Sequence, residues 1–246
     1  MRFPYNFYGS CFPYCMRTPY SIKKTIYNPV LSKENPILIN PKEIKDTKEY
    51  IKIDLIIPVL HGCKNKEIED HINHSIENDA MEFKRQMEEA AKEYAEEAKR
   101  KGEPIDPYIV STIYRVTYNQ NNIISISVIY HEYINGKNYY IKTSYNFDTE
   151  TGKSLSLKDL FKEGVDYKEV INKEVRKELL YNKDKYMPDA AKKFKGIADD
   201  QPFYIDGDNL SIFFGFHQIA PIESEIPIIK IPFSALKDDL KPDLLK

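Results

Sequence analysis

The sequence has 246 residues and contains no tryptophan, nine glycines and three cysteines. The glycines are dispersed, which excludes a glycine-rich loop that would hold a phosphate. Three cysteines, Cys11, Cys15 and Cys63, are an odd number and argue against a disulfide framework. No Cys or His pair follows Cys11 and Cys15 at the spacing of a zinc site. We therefore expect neither a metal nor a cofactor.

The chain also lacks long apolar runs and a strong net charge. No stretch approaches the roughly 20 apolar residues that cross a bilayer. The 36 basic and 38 acidic residues give a net charge of -2, which excludes a bulk attraction to nucleic acid. The N-terminal segment has no unbroken apolar core of a secretory signal, because Pro4, Pro13 and Pro19 interrupt it. We expect no nucleic-acid partner and no transmembrane segment, and we leave the oligomeric state open.

Aromatic residues of two kinds are abundant, with 19 tyrosines and 12 phenylalanines, and both favour β-strands. Alternating and continuous apolar residues predict a strand over 50–60, with a second hairpin over 202–216 and a short strand over 226–232. Three further strands are predicted over 108–119, 123–134 and 137–148. Asn135-Gly136 is the strongest hairpin turn signal between them. These three strands are predicted to form an antiparallel meander.

Two segments show helical periodicity instead. Apolar residues recur every three or four positions from Ile68 to Ala98 and predict a long amphipathic helix over 64–101, ended by Gly102. A shorter amphipathic helix is predicted over 165–186. The sequence therefore predicts an α+β fold: an antiparallel meander sheet packed by one long and one shorter amphipathic helix, in two intimately associated subdomains.

Three sequence blocks, in a fixed order, carry a family resemblance. They follow a strand and a long acidic helix and read VTYNQNNIISISVIYHEY, SYNFDTETGKSLSLKDLF and IAPIESEIPIIKIPFSAL. In this order they resemble a tandem pair of bacterial domains of unknown function, numbers 4163 and 3298, over roughly residues 45 to 240. The pair is found in the outer part of RsiV-like, lysozyme-sensing anti-sigma factors. It is also found ahead of the catalytic domain of a peptidoglycan deacetylase.

The resemblance implies a division of the chain and a function. An aromatic and proline-rich leader over 1–44 would precede a 4163-like subdomain over 45–140 and a 3298-like subdomain over 141–246. The implied function is a non-catalytic recognition module that binds a lysozyme-like protein or a cell-wall glycan at the cell envelope. The family pattern is not fully kept, because His217-Gln218 replaces a common Tyr-Glu pair and the hairpin INGKNYY lacks a family histidine.

The residues themselves give little support for catalysis. The sequence has no GxSxG and no HExxH motif. His71 and His74 lie away from the apolar stripe of the long helix, which indicates solvated positions. The candidates for glycan hydrolysis are four carboxylates: Asp148, Glu150, Asp199 and Asp200. Their positions in turns and loops account for their presence equally well.

We expect no catalytic residue and propose ligand contacts on chemical grounds. Tyr133, Tyr139, His217 and Gln218 combine polar and aromatic groups at the ends of hairpins, where loops present side chains to a partner. For His217, a solvent-facing or hydrogen-bonded role is the alternative to ligand contact.

Two other functions remain open at this stage. The first is a structural or sporulation-associated protein of the cytoplasm or a spore layer, which the missing export signal and the aromatic leader favour. The second is a hydrolase or deacetylase acting on peptidoglycan through a carboxylate pair.

Overall fold

A large β-sheet forms the first half of the fold. The computed structural model describes residues 37–215, 218–221 and 226–245. The five strands lie in the order β1-β2-β3-β4-β5. They are β1 (Leu38–Lys48), β2 (Ile51–His61), β3 (Tyr108–Gln120), β4 (Ile123–Ile134) and β5 (Lys137–Asp148). The three strands of the predicted meander are present and antiparallel.

The long helix α1 (Lys66–Lys101) covers one face of this sheet. The side chain of Asn65 caps its N-terminus by accepting a hydrogen bond from the Glu67 amide, and Gly102 ends it in the left-handed conformation. Its predicted apolar stripe is buried against strands β2 to β5: Ile72, Ile76, Ala80, Phe83, Met87 and Ala91. Burial of this stripe fixes the helix on the sheet, because each large apolar side chain contributes about 1.5–3 kcal/mol.

One strand pair departs from the antiparallel pattern. Strands β2 and β3 are parallel, with Ile51–Asp54 opposite Tyr108–Ser111. The reason is the connection, because α1 runs back along the sheet and returns the chain to the same end. The sequence pattern predicts the helix and both strands but not this pairing.

Strand β1 is not predicted by the sequence pattern. Its eleven residues pair with β2, and Pro41 lies opposite Pro58. Proline interrupts the strand pattern, since it cannot donate a ladder hydrogen bond. It is tolerated because β1 is the edge strand among the strands described, where one row of backbone amides faces none of them.

The second half of the fold is a smaller sheet with its own core. Strands β6 (Phe203–Asp206), β7 (Asn209–Phe213) and β8 (Ile228–Pro232) lie in sequence order and are antiparallel. Helix α2 (Tyr167–Tyr181) buries Ile171, Val175 and Leu179 in this core. The remaining short elements are α3 (Ala190–Lys193), α4 (Phe233–Leu236) and three 3-10 turns at Leu157–Leu160, Lys183–Lys185 and Pro242–Leu245. The α+β class is confirmed.

Side chains of the large sheet satisfy the free backbone edge of β6. The carbonyl oxygen of Phe203 accepts hydrogen bonds from Ser144 Oγ (2.5 Å) and Asn146 Nδ2 (2.9 Å). The amide of Ile205 donates to Ser125 Oγ (3.0 Å), which in turn donates to Asn146 Oδ1 (2.5 Å). These three polar side chains are buried. The bonds form a closed relay that begins and ends on β6, and we call it the seam.

A β-bulge in β3 extends the seam. The β3–β4 register shifts between Val116 and Tyr118, which leaves Thr117 as the extra residue. Its carbonyl accepts a hydrogen bond from the Gly207 amide (3.4 Å). The contacts of β6 therefore pass from β5 to β4 to β3 as the chain advances. Strand β6 crosses the strands of the large sheet rather than running along them.

The sheet boundary differs in position from the predicted subdomain boundary. The division expected between residues 140 and 141 falls inside β5, whose whole length pairs with β4. The division into two subdomains stays a prediction. Within the described ranges, no helix is both long and apolar enough to cross a membrane.

Replacing Asn146 with alanine tests the seam. The change leaves the hydroxyl of Ser125 without its acceptor and removes one of the two donors to the Phe203 carbonyl. We expect the free energy of unfolding to fall by about 1–3 kcal/mol, the cost of leaving buried polar groups unpaired. Urea denaturation measures this loss. The control is Asn40→Ala, at an exposed position of β1, and equal losses in the two variants would contradict the role of the seam.

Candidate functional site

In the part of the chain that the structure describes, no strand or helix lies over one half of a face of the large sheet. Strand alternation places a set of side chains on the face opposite α1, beyond the part that β6 crosses. We call this set the open face: Ile109, Ser111, Ile113, Ile129, His131, Tyr133, Asn138 and Tyr140. Ile109 is 38% exposed. The apolar and aromatic members belong to neither hydrophobic core of the described residues.

A polar row crosses the centre of the open face. His131 Nε2 lies 2.7 Å from Asn138 Oδ1, and His131 Nδ1 lies 3.3 Å from Ser111 Oγ. Because Asn138 Oδ1 can only accept, Nε2 donates this hydrogen bond, and Nδ1 pairs with the Ser111 hydroxyl. The Tyr140 ring stacks on the imidazole with centroids 4.8 Å apart. These contacts join three adjacent strands and fix the orientation of the His131 and Tyr140 rings.

The Ser111-His131-Asn138 row resembles a catalytic triad in composition but not in surroundings. A serine nucleophile needs backbone N–H groups aimed at the oxyanion that forms during attack. Ser111 lies inside β3, opposite Asp54 of β2 and His131 of β4. The amides around it lie in the plane of the sheet between paired strands, so they do not converge on a point above Ser111. The arrangement favours binding over acyl transfer.

A buried carboxyl group lies on the other face of the same hairpin. Glu132 pairs in register with Val110 and Tyr139 and is buried on the α1 side. Its Oε1 atom has no hydrogen-bond partner among the described residues. Burial raises the pKa of Glu132 to about 7. The nearby rings of Tyr94 and Tyr108 are stacked with centroids 5.4 Å apart.

The structure describes three of the four predicted contact residues, and two of these lie on opposite faces of the large sheet. Tyr133 lies on the open face, whereas Tyr139 is the register partner of Glu132 and lies on the α1 face. Gln218 is exposed in the second half of the fold, where its Oε1 accepts a hydrogen bond from the Gly215 amide (2.7 Å). His217 lies outside the described residues. A joint role for these four residues stays a prediction.

The histidines and carboxylates considered as catalytic or metal-binding candidates from the sequence include residues on the helix surface and in a turn. His71 and His74 are exposed on α1. Asp148 Oδ1 accepts hydrogen bonds from the amides of Glu150 and Thr151 and so holds the turn after β5. In the part of the chain that the structure describes, no group of three or more His, Cys, Asp or Glu side chains is arranged to hold a metal ion.

Two family models match successive parts of the chain. Residues 44–137 match the model described as deacetylase PdaC, and residues 158–234 match DUF3298, a protein family of unknown function. The expected resemblance to domain 3298 is confirmed. Domain 4163 is not shown for the first half, which the PdaC model matches instead.

Two curated proteins of Bacillus subtilis (strain 168) are similar to this chain. The anti-sigma-V factor RsiV is 27% identical over 205 residues, covering 80% of this chain and 68% of RsiV. The peptidoglycan-N-acetylmuramic acid deacetylase PdaC is 26% identical over 183 residues, covering 72% of this chain and 37% of the deacetylase. The chain thus spans little more than a third of that enzyme.

Two solved structures share the fold at low sequence identity. A member of the DUF3298 family from Bacteroides fragilis superposes with a TM-score of 0.64 and 17% identity, covering 86% of this chain and 96% of that one. A DUF3298 family protein from Pseudomonas aeruginosa PAO1 has a TM-score of 0.55 and 19% identity, with 85% and 96% covered. These likenesses support the α+β fold.

The buried carboxyl group predicts a pH-dependent stability. The pKa of Glu132 is about 7 in the folded protein against 4.5 ordinarily, so the folded state binds this proton more tightly than the unfolded chain. Its contribution to stability is complete below the ordinary pKa and is lost as pH rises through the folded pKa. Relative to that of Glu132→Gln, the free energy of unfolding of the native protein should fall by about 3 kcal/mol between about pH 4 and about pH 8.

Denaturation of both proteins across this pH range measures the difference. Glu103→Gln, at an exposed position beyond α1, serves as the control. The difference in unfolding free energy between this variant and the native protein should change little with pH. A constant difference between the native protein and Glu132→Gln would show that Glu132 titrates as an ordinary carboxyl.

Proposed function

We propose that this chain is a non-catalytic recognition module that binds a protein partner of the lysozyme type through its open face. The observation that carries the proposal is a sheet face that the described elements cover only in part, where isoleucine, tyrosine and histidine side chains lie outside both cores. Such apolar and aromatic surfaces characterise protein interaction sites. The similarity to the anti-sigma factor RsiV over 80% of the chain supports a regulatory protein partner.

The local geometry suits binding by a preformed surface. The Ser111, Asn138 and Tyr140 contacts restrain the His131 ring, so a partner does not have to order this side chain on binding. Tyrosine offers an apolar ring and a polar hydroxyl with few rotatable bonds, which is why it is common at interfaces. Strands also hold these groups more rigidly than loops would.

The similarity to part of a peptidoglycan deacetylase also supports a recognition role. The matched segment spans 37% of PdaC, and its family model covers residues 44–137 here. We propose that this segment is an accessory recognition unit, with cell-wall glycan as the second ligand class. Incubation with peptidoglycan fragments should then give binding without release of acetate or cleavage of the glycan. Turnover that one carboxylate substitution abolishes would establish an enzyme instead.

The proposal predicts that an aromatic substitution on the open face weakens binding. Tyr140→Ala removes the ring that stacks on His131. We expect its dissociation constant for the bound partner to rise by about tenfold or more, as for an interface hot spot. Calorimetric titration with lysozyme and, separately, with muropeptides provides the measurement.

Tyr181→Ala is the matched control for this experiment. Tyr181 is 86% exposed at the end of α2, away from the large sheet, so its removal should leave binding unchanged. No binding of the native protein to either ligand at high micromolar concentration would contradict the proposed function. Equal weakening by both substitutions would contradict the assignment of the open face.

A further inference from the structure

Four charged side chains from four strands meet where the two sheets join. Arg115 extends from β3, Lys142 from β5, Asp206 from β6 and Lys230 from β8, and we call them the junction cluster. Arg115 Nη2 lies 3.3 Å from Asp206 Oδ1, and Lys230 Nζ lies 2.6 Å from Asp206 Oδ2. Both oxygens of the only carboxylate in the cluster are therefore engaged.

Lys142 is held in the cluster without an ion pair. Its Nζ lies 5.0 Å from the centroid of the Tyr204 ring and 5.9 Å from that of Phe213. No carboxylate oxygen of any described residue pairs with it. Burial, together with repulsion by Arg115, lowers the pKa of Lys142 to about 8, and the opposing attraction of Asp206 does not offset this. The cluster thus contains a cation that a further negative charge would stabilise.

The balance of charge and the exposure of the cluster suit an anion from solution. Three cations surround one carboxylate, so the formal surplus is two positive charges. The side chains of Arg115 and Lys230 are 68% and 54% exposed, whereas that of Asp206 is 13% exposed. A guanidinium has five N–H donors in a planar fork, and here one nitrogen of Arg115 contacts Asp206. Because the Arg115 side chain is mostly exposed, its remaining donors are accessible to a second oxyanion from solvent.

We infer that the junction cluster binds an oxyanion group, a carboxylate or a phosphate, carried by a ligand. Arg115 and Lys230 contact the anion from the exposed side, and Lys142 supplies the unpaired charge beneath it. Asp206 acts as an internal anion that holds the two exposed cations in place and competes with the ligand. The residues come from both sheets, so the site exists only when the seam holds the sheets together. The inference stands independently of the proposed function.

Competitive acetylation of lysines tests this site in the intact chain. Trace labelling at about pH 8, followed by peptide mass spectrometry, gives the reaction rate of each amine. Sodium phosphate and sodium acetate, at an ionic strength matched with sodium chloride, should each be tested. We expect at least one of them to slow labelling of Lys142 about fivefold, the effect of raising its pKa by about one unit. Lys137, an exposed residue of the same strand, should react at an unchanged rate.

The two anions separate the ligand sources. Protection by phosphate alone assigns a phosphate ligand, and protection by acetate alone assigns a carboxylate ligand. Arg115→Gln should abolish the protection, while Arg100→Gln, at an exposed position on α1, should retain it. Asp206→Asn removes the internal competitor, so that both exposed cations are unpaired when the ligand binds. The ratio of Lys142 labelling rates without and with the anion should then increase by about threefold.

Three results would overturn the inference. The first is labelling of Lys142 that is the same in phosphate, acetate and chloride. The second is equal slowing of Lys142 and Lys137, which indicates general screening of charge. The third is full protection in Arg115→Gln. Circular dichroism of each variant confirms that its fold is intact, and the reaction rates are compared only within one variant.

Discussion

Phe203 and Ile205 present backbone polar groups along an edge of β6 that none of the described strands pairs with. Burying such groups without partners would cost about 1–3 kcal/mol each. Ser125, Ser144 and Asn146 of the large sheet supply the partners instead, through a relay of short hydrogen bonds. Because the relay joins side chains on one sheet to the backbone of the other, it fixes both the distance and the crossing direction of the two sheets.

This constraint decides which part of the large sheet is available to a ligand. Strand β6 crosses β3, β4 and β5 at one end, so the small sheet covers that half of the face. None of the described elements covers the other half, which presents the Ser111-His131-Asn138 row and Tyr140. The junction cluster lies at the boundary between the two halves, because Asp206 belongs to β6. One set of buried bonds therefore positions both surfaces to which we assign binding.

Much of the fold follows from residue periodicity, and its limits have physical causes. The stripe from Ile72 to Ala91 predicts α1, because each apolar residue repeats the same helical face. Strand β1 was missed because Pro41 interrupts its pattern, although an edge strand tolerates proline. The parallel pairing of β2 and β3 depends on where α1 returns the chain. Short-range periodicity contains no information on that position.

The candidate site was less predictable than the fold. The two-residue turn at Asn135-Gly136 sets Tyr133 opposite Asn138 and Glu132 opposite Tyr139. Applying that register to the sequence would have separated Tyr133 from Tyr139 and placed His131 beside Tyr140. No local signal identifies the seam, because serine and asparagine on alternate strand positions are typical of a solvent-facing surface. Only the arrival of β6, between 57 and 80 residues later in the chain, makes them buried partners.

Hydrogen exchange of the Ile205 amide tests the central claim most directly. In this account the amide donates to a buried serine hydroxyl and becomes accessible only when the two sheets separate. Its exchange should therefore be as slow as that of the amides in the β6–β7 ladder, as NMR would resolve residue by residue. Exchange as fast as that of the exposed Asn135 and Gly136 amides, in the turn between β4 and β5, would show that the edge of β6 is open to water and that the seam does not hold the sheets together.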